Sequence, residues 1–374
     1  MIWRSLLRDP ARLLLGTLTV AAVIALILIF EGFRIGLHVQ VSAFPRNLPA
    51  DLVATQAGVS NILGTRSVLP QGARADVEAV PGVREAYPLA GFPVIYSDGK
   101  LTSPIYVVAY DTAGGPRHLL AGREIADADE VVIDAALAAK FHLAPSSRVE
   151  FLGHPFTVAG LSADTSNFFD PYVFVRLVDL IDLSLAGEFA DRAMDGGLSF
   201  LLVELQPGAD RNAVRAAIEQ RVSAVDVFTP SELATNDERR VDDFLGPALN
   251  VLTTVAFAAG VLVVGLTLYV SVLGRVREFG VMKAIGARLA FLARHVLIEA
   301  AVVSTLALVL GIGLAAATAA LIHATLPQYL VVPLDPTVVA RTATAVTAMA
   351  ALGALVPIWR IAVIDPASVF SRQP

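Results

Sequence analysis

The residues that most often perform chemistry in proteins are scattered along this 374-residue chain. Its six histidines include no pair at the short spacing that metal ligands use. It contains no cysteine, which excludes disulfides, thiolate nucleophiles and cysteine-bound metals. It also lacks the G-x-x-x-x-G-K-[ST] phosphate loop, the G-x-S-x-G nucleophile turn and the H-E-x-x-H zinc motif. The sequence therefore predicts that this chain is not an enzyme and binds no metal or cofactor of its own.

The composition instead indicates a membrane protein. Hydrophobic residues make up 55% of the chain and charged residues only 17%, against about a quarter charged in soluble domains. The mean hydropathy is +0.66, between the values of soluble and wholly embedded proteins. The net charge of −6 argues against nucleic acid as a partner, because nucleic-acid-binding proteins carry a basic face.

Four apolar segments approach the roughly 20 residues that a helix needs to cross a bilayer. They run from Leu13 to Phe30, from about Val251 to Leu273, from about Val296 to Ala324 and, more weakly, from about Val338 to Trp359. The first is longer than the roughly 7–15 apolar residues of a cleavable signal peptide. We therefore expect it to be a retained signal anchor.

Basic residues predict how these spans are oriented. Lys and Arg cluster before the first span, between the second and third, and after the fourth, and such clusters lie on the cytoplasmic side. Both termini are therefore predicted to be cytoplasmic in a multi-pass membrane protein. Residues 32–246 then lie outside, and they are acidic, with 17 Lys and Arg against 28 Asp and Glu. The flanking basic residues are Arg4, Arg8, Arg12, Arg275, Arg277, Lys283, Arg288, Arg294, Arg360 and Arg372.

The outer stretch mixes strand and helix patterns without a long parallel run, which predicts an α+β domain. Its Ser162–Pro171 loop carries Phe168 and Phe169, which either form a contact surface or belong to the core. The predicted strands are Phe92–Tyr96, Pro104–Tyr110, Glu130–Asp134, Arg148–Leu152, Phe156–Leu161, Ser199–Leu205 and Val225–Phe228, and the predicted helices are Ala73–Val80, Ala135–Phe141 and Arg211–Val222.

Only two charged residues, Glu299 and Arg341, lie inside the spans. Charges in a bilayer are costly and mark transport pathways, so this scarcity disfavours an ion-driven transporter. Arg341 is expected to snorkel to the interface, whereas Glu299 pairs with the basic cytoplasmic loop or braces neighbouring helices. Small residues at close spacing in the third span predict tight helix contact. They are Gly311, Gly313, Ala315 and Ala317.

The segment between the second and third spans, residues 275–288, has the sequence RVREFGVMKAIGAR. Gly280 and Gly286 would each cost about 1 kcal/mol in a helix interior, and the charges do not gather on one helical face. The pattern predicts a short, bent helix with one wet and one packed surface, able to transmit a push from a cytosolic partner. The alternative is a basic loop that only anchors topology.

The REFGVMKAIGA part of this segment closely resembles the R-x-x-E-[IF]-G-[VI]-x-[KR]-A-[IL]-G-A signature of the FtsX/MacB superfamily of ABC transporter permeases. Weaker matches to the family lie earlier in the chain, in the order that the family has them. They are at Ala79–Val83, at Val107–Asp111, where Ala109 replaces the usual Gly, and from Ala121 to Asp134. The chain length and the lack of a fused ATPase domain resemble the DevC-like branch.

This resemblance implies four transmembrane helices in a 1+3 arrangement, with a large α+β extracytoplasmic domain between the first and second. It also implies a homodimer or a heterodimer with a related permease, a separate cytosolic ABC ATPase that holds ATP and Mg, contact with membrane lipid, and an optional periplasmic adaptor (membrane fusion protein). In the family the signature forms the coupling helix that docks on the ATPase. The corresponding residues here are Phe279 and Met282 as packing contacts, Arg277, Glu278 and Lys283 as polar contacts, Gly280, Gly286 and Ala287 for close approach, and Arg275 and Ala284 beside them.

Three classes of function remain open at this point. The first is an exporter or extractor that works by mechanotransmission on a lipid-like, peptide or drug substrate. The second is a non-transporting signalling permease that regulates an extracytoplasmic enzyme, and the third is a membrane receptor or structural protein outside the ABC class. The predicted segments are 1–33 (cytoplasmic end and first span), 34–246 (extracytoplasmic domain), 247–273 (second span), 274–292 (coupling elbow), 293–324 (third span), 325–336 (outer loop), 337–361 (fourth span) and 362–374 (cytoplasmic tail).

Overall fold

The computed structural model describes residues 10–63, 67–70, 72–163, 165, 169–185, 198–326 and 328–364. Arg4, Arg8, Phe168 and Arg372, which entered the predictions above, lie outside these ranges. The chain forms two compact units. The helical unit comprises Met1–Gly36, Leu245–Thr325 and Val331–Pro374, and the α+β unit comprises Leu37–Phe244 and Leu326–Leu330.

The described elements follow in chain order. They are α1 (Pro10–Arg46), β1 (Leu52–Gln56), α2 (Ala73–Glu78), β2 (Val83–Ser97), β3 (Thr102–Tyr110), β4 (His118–Gly122), β5 (Glu130–Asp134), α3 (Ala135–Phe141), β6 (Arg148–Phe151), β7 (His154–Ala163), β8 (Tyr172–Arg176), α4 (Leu177–Leu185), β9 (Phe200–Leu205), α5 (Arg211–Arg221), β10 (Val225–Phe228), α6 (Pro230–Leu273), α7 (Val276–Ala284), α8 (Leu289–Thr325) and α9 (Pro336–Val363).

Four helices, α1, α6, α8 and α9, are long and apolar enough to cross a membrane, which confirms the predicted 1+3 arrangement. Their shared core is built from branched and small side chains such as Ile24, Leu28, Val296 and Ala315. The α6 helix starts well before its apolar stretch because a capping box opens it. Glu232 N donates to Thr229 Oγ1 at 3.1 Å and Thr229 N donates to Glu232 Oε2 at 2.7 Å.

The α+β unit contains one ten-stranded sheet with the order β10-β1-β9-β2-β3-β8-β5-β7-β4, in which β6 pairs with β7. Most pairs are antiparallel, and the parallel pairs are β3 with β8 and β5 with β7. This mixed sheet confirms the predicted domain class. The bounds of β5, α3 and β10 match the prediction.

The prediction missed four elements of this unit, namely β1, β4, β8 and α4. The β1 and β8 strands are buried on both faces, so they lack the alternation that marks a half-buried strand. The β4 strand lies at the sheet edge and is almost wholly exposed.

The Ser162–Pro171 loop presents Phe169 at the surface, 39% exposed.

Candidate functional site

The segment between α6 and α8 forms a compact elbow around the nine-residue helix α7. Three backbone hydrogen bonds close it, from Ile285 N to Val281 O, from Gly286 N to Lys283 O and from Ala287 N to Met282 O, each 3.0–3.1 Å long. The last two form a Schellman motif, in which the residue after the helix cap adopts a left-handed conformation. Gly286 has φ 92°, a conformation that strains any residue with a Cβ. The predicted bend is therefore encoded by Gly286.

One face of the elbow packs into the core of the helical unit. Phe279 is 5% exposed and belongs to the same buried cluster as Leu292 and Val296 of α8. Met282 and Ala287 pack against the edge of that cluster. The side chains of Phe279 and Met282 thus hold the elbow to its own bundle, and their predicted role as packing contacts for the ATPase stays a prediction.

A polar cluster ties the beginning of the elbow to two spans. The Arg275 guanidinium pairs with Glu299 of α8 and donates a hydrogen bond to Ser271 Oγ of α6. Ser271 Oγ donates to the other oxygen of Glu299 at 2.5 Å. Because Glu299 is only 9% exposed, its charge requires such a partner. Of the two roles that the sequence left open for Glu299, it therefore pairs with the basic elbow.

Lys283 ties the other end of the elbow to the last span. Its Nζ donates to Ala362 O at 2.8 Å and to Ile364 O at 2.7 Å. These carbonyls lie at the C-terminal end of α9, where a cation stabilises the unpaired carbonyl oxygens and the negative end of the helix dipole. Lys283 is thus used inside the chain rather than on the elbow's open surface.

The opposite face of the elbow is exposed and largely apolar. Ile285 is 81% exposed, and Val281 and Leu289 are 39% and 46% exposed. We call these three apolar residues the outer ridge. Charged side chains border it. Between Arg277 and Leu289, the exposed residues are Arg277, Glu278, Val281, Ala284, Ile285, Gly286, Arg288 and Leu289.

The predicted site residues fall into two groups according to the exposure of their side chains. Arg277, Glu278, Ala284 and Gly286 lie on the exposed face, whereas Arg275, Phe279, Gly280, Met282 and Lys283 are buried or half-buried. The sequence prediction missed Val281, Ile285 and Leu289. No local spacing could have revealed them, because Val281 lies in α7, Ile285 caps that helix and Leu289 begins α8 after the bend at Gly286.

The small residues of the third span also divide into two pairs. A Cβ on Gly311 would lie 2.8 Å from Ile24 Cγ2 and 3.0 Å from Ala21 O, so α8 and α1 approach closely there. Ala315 is fully buried. A Cβ on Gly313 would meet nothing within 4 Å, and Ala317 is exposed. Tight contact within this chain therefore involves Gly311 and Ala315, and the predicted packing role of Gly313 and Ala317 stays a prediction.

Among the described residues, no group of three His, Asp or Glu side chains could hold a metal ion. The chemistry that the elbow offers is recognition, through an apolar ridge with charged borders on a rigidly held support. Four apolar helices in the described chain, with an α+β unit between the first and second, define the class as a multi-pass membrane protein.

Sequence comparisons identify the family. Residues 14–221 match the MacB-like periplasmic core domain and residues 250–366 match the FtsX-like permease C-terminal domain. The first match alone covers more than half of the chain, so this protein belongs to the MacB/FtsX-type ABC transporter permeases. Such a permease works with an ATPase partner.

Two relatives align over nearly the whole length. An uncharacterized ABC transporter permease of Mycobacterium tuberculosis is 24% identical over 373 residues, covering 99% of this chain and 97% of the relative. An uncharacterized ABC transporter permease of Mycobacterium bovis is 26% identical over 371 residues, covering 96% and 95%.

Solved structures of extracytoplasmic domains also match. The periplasmic region of MacB from Actinobacillus actinomycetemcomitans aligns with a TM-score of 0.36 and 13% identity, covering 52% of this chain and 95% of that one. The extracellular domain of the noncanonic ABC-type transporter YknZ from Gram-positive bacteria aligns with a TM-score of 0.35 and 11% identity, covering 48% and 100%.

Proposed function

We propose that this chain is the permease subunit of an ATP-driven exporter that works by mechanotransmission. A separate cytosolic ATPase, which carries the ATP and Mg, docks on the outer ridge of the elbow. Its nucleotide cycle moves the elbow, and the spans pass that movement to the extracytoplasmic domain. A lipid-like, peptide or drug substrate is then exported or extracted without crossing the bundle.

The observation that carries this proposal is the exposure of Ile285. An isoleucine side chain gains about 1.5–3 kcal/mol on full burial, and this one is 81% exposed at the tip of a short, braced element. A partner that covers Ile285 together with Val281 and Leu289 recovers that free energy. Arg277, which lies beside them, adds a charged contact at the rim of the interface.

The supports of the elbow explain how docking would move the spans. Arg275 connects the elbow to Glu299 of α8 and to Ser271 of α6, and Lys283 connects it to the end of α9. A force on the ridge therefore reaches three of the four spans through charged hydrogen bonds. Shifting a two-state equilibrium from 1:99 to 99:1 requires about 5.5 kcal/mol of differential binding, which a rigidly supported ridge can deliver to the spans.

The partners follow from the same proposal. Only 22% of the most apolar window of α6 is buried within the chain, which leaves its surface for lipid and for a second permease copy. We propose a homodimer, or a heterodimer with a related permease, in the bacterial inner membrane with both termini cytoplasmic. A periplasmic adaptor would complete an exporter.

The proposal is tested by placing a charge on the ridge. The full chain with Ile285→Asp is reconstituted in liposomes with its cognate ATPase, and ATP hydrolysis is measured. We expect permease-dependent stimulation to fall by about tenfold or more, because about 1.4 kcal/mol of lost binding is one factor of ten. Ile95→Asp is the matched control, since Ile95 is also an exposed isoleucine, 73% exposed on β2.

The Ile95→Asp variant should retain full stimulation. Unchanged stimulation by Ile285→Asp, with normal insertion of both variants, would remove the ridge as the docking surface.

A further inference from the structure

The α+β unit contains an open groove of about 680 Å³ beside the first turns of α6. This volume lies within the range of sites that hold a small molecule. The groove is lined on one side by α6 and on the other by two loops of the unit. The lining residues are Ser60, Asn61, Leu63, Phe169, Asp170, Asn236, Arg239, Arg240, Asp243 and Phe244.

The wall of the groove is preformed. Asp237, which is 1% exposed, accepts hydrogen bonds from Ile62 N and Leu63 N at 3.0 Å each. Asn236 Nδ2 donates to Ser60 O at 2.8 Å. These bonds hold the 60–63 loop against α6, so the groove exists without a ligand.

Two arginines in the groove are available to a ligand. Arg239 and Arg240 are exposed, and neither guanidinium makes a hydrogen bond or ion pair with a described residue. Arg240 acts only at longer range, on the buried Asp237. Arginine is well suited to phosphate because its planar fork can donate two parallel hydrogen bonds.

The same groove also offers negative charge. Asp170 and Asp243 line it together with the arginines. Asp170 is partly buried, and this burial raises the pKa of its carboxyl above the ordinary value. A nearby cation offsets that desolvation cost, so the groove favours a ligand that carries both signs of charge.

The groove has an apolar edge as well. Phe244 is 73% exposed and Phe169 is 39% exposed. These phenylalanines lie in the same groove as the two arginines. A groove that offers both cationic and aromatic surface suits an amphiphilic ligand with a charged head and an apolar tail, which favours a lipid over a peptide as the occupant.

We propose that this groove binds the headgroup of a zwitterionic phospholipid of the phosphoethanolamine type. Arg239 and Arg240 hold the phosphate, Asp170 and Asp243 hold the ammonium group, and the first acyl carbons lie along Phe244 and Phe169. A free phosphate would use neither the carboxylates nor the phenylalanines, and an anionic phospholipid would bring its charge close to two carboxylates. The assignment rests on the proposed export function only in so far as it names the substrate class.

The test uses the full chain in detergent with photoactivatable lipids at equal concentration. The probes carry phosphoethanolamine, phosphoglycerol or no headgroup beyond diacylglycerol, and crosslinked peptides are identified by mass spectrometry. We expect phosphoethanolamine lipid to label the peptides around residues 60–63 and 236–244. The Arg239→Gln/Arg240→Gln variant should lose at least about tenfold of that labelling.

Two further variants sharpen the result. Asp170→Asn/Asp243→Asn should remove the preference for phosphoethanolamine over phosphoglycerol. Arg148→Gln/Arg221→Gln is the matched control, because both of these arginines are exposed elsewhere in the α+β unit, and it should label like the parent chain.

Several outcomes would overturn the assignment. Two of them concern labelling: diacylglycerol labels as strongly as phosphoethanolamine lipid, or labelling survives the loss of both groove arginines. The other two concern competition: inorganic phosphate competes as well as soluble phosphoethanolamine, or peptides compete and phospholipids do not. Stimulation of the ATPase is measured on the same variants to show that they are folded. Failed labelling with intact stimulation refutes the groove alone, whereas intact stimulation in Ile285→Asp refutes the docking proposal alone.

Discussion

Glu299 shows how a single side chain can join three elements. It is a carboxylate within the apolar helix α8, and its two oxygens are used by Arg275 at the start of the elbow and by Ser271 at the end of α6. An unpaired charge in a membrane costs about 2.5–3.5 kcal/mol at the bilayer centre. The pair therefore both neutralises Glu299 and fixes where the elbow begins.

Removing the charge of Glu299 should loosen the elbow. We expect Glu299→Gln to lower the free energy of unfolding by about 1–3 kcal/mol, because the half-buried Arg275 guanidinium loses its charged acceptor. The measurement is thermal unfolding of the full chain in detergent, combined with ATPase stimulation. Glu124→Gln, which changes an exposed glutamate of the α+β unit, should alter stability by less than about 0.5 kcal/mol.

A second variant separates stability from coupling. Arg275→Met/Glu299→Met replaces the pair by apolar side chains, which often restores stability. We expect stability near that of the parent chain but reduced stimulation, since Ser271 is then no longer tied to the elbow. Full stimulation in this double variant would contradict the coupling role of the pair.

At the residue level the sequence did not predict which way the side chains of the elbow face. Phe279 and Lys283 belong to the recognised signature, yet Phe279 packs inward and Lys283 binds carbonyl oxygens of α9. Their orientation depends on α8 and α9, which are distant in sequence, so local spacing could not reveal it. Ile285 was missed because an isoleucine between two spans is indistinguishable by composition from their buried residues.

At the level of elements, the bend after α7 depends on one backbone conformation. Gly286 and Gly313 are a matched pair, because an added Cβ would meet nothing within 4 Å at either position. They differ in that only Gly286 has a positive φ, 92°. Any difference between their alanine variants therefore reports the backbone and not steric contact.

We expect Gly286→Ala to destabilise the elbow by about 1–2 kcal/mol, the cost of a left-handed conformation with a Cβ. Membrane insertion should be normal, while ATPase stimulation should fall, since the position of Ile285 depends on this bend. Gly313→Ala lies inside helix α8 and should be neutral or stabilising by up to about 1 kcal/mol. Equal effects of the two substitutions on stimulation would show that the bend is not required.

The elements that the sequence predicted well have strong local signals. The β5 strand ends at Asp134, whose carboxylate caps α3 by accepting from Ala136 N at 2.8 Å, so a strand–cap–helix pattern is visible in the sequence. The start of α6 was overlooked although Thr229 and Glu232 have the spacing of a capping box. Residues 230–246 are mostly polar, whereas the apolar pattern of the span begins only near Val251, so hydropathy alone does not show that one helix covers both.

At the level of the whole molecule, orientation in the membrane is open to a direct test. The chain has no cysteine, so single cysteines can be introduced without background. We expect Ile95→Cys to react with a membrane-impermeant maleimide in cells whose outer envelope is permeable but whose inner membrane is intact. Ile285→Cys should react only after the inner membrane is permeabilised, because the basic residues around it predict that the elbow lies in the cytoplasm.

Both side chains are mostly exposed, 73% for Ile95 and 81% for Ile285, so poor access within the fold is not expected to mask the result. Labelling of Ile285→Cys from the outside would reverse the predicted topology and remove the elbow from the reach of a cytosolic ATPase.

The number of spans and the class of the domain between them followed from composition and pattern, whereas the sheet order did not. The β1 strand pairs with β9 and β10, which are separated from it by most of the α+β unit. Such pairings depend on which side chains become buried on the two faces of the sheet. That burial depends on residues throughout the unit, so no local stretch of sequence predicts it.

The separation of the elbow into two faces has a consequence for how such permeases diversify. The residues that fix its geometry, Arg275, Phe279, Lys283 and Gly286, are not the apolar side chains presented at its tip. Under the docking proposal, exchanging Val281, Ile285 and Leu289 would change which ATPase a permease of this kind recognises, while the residues that hold the elbow could stay the same.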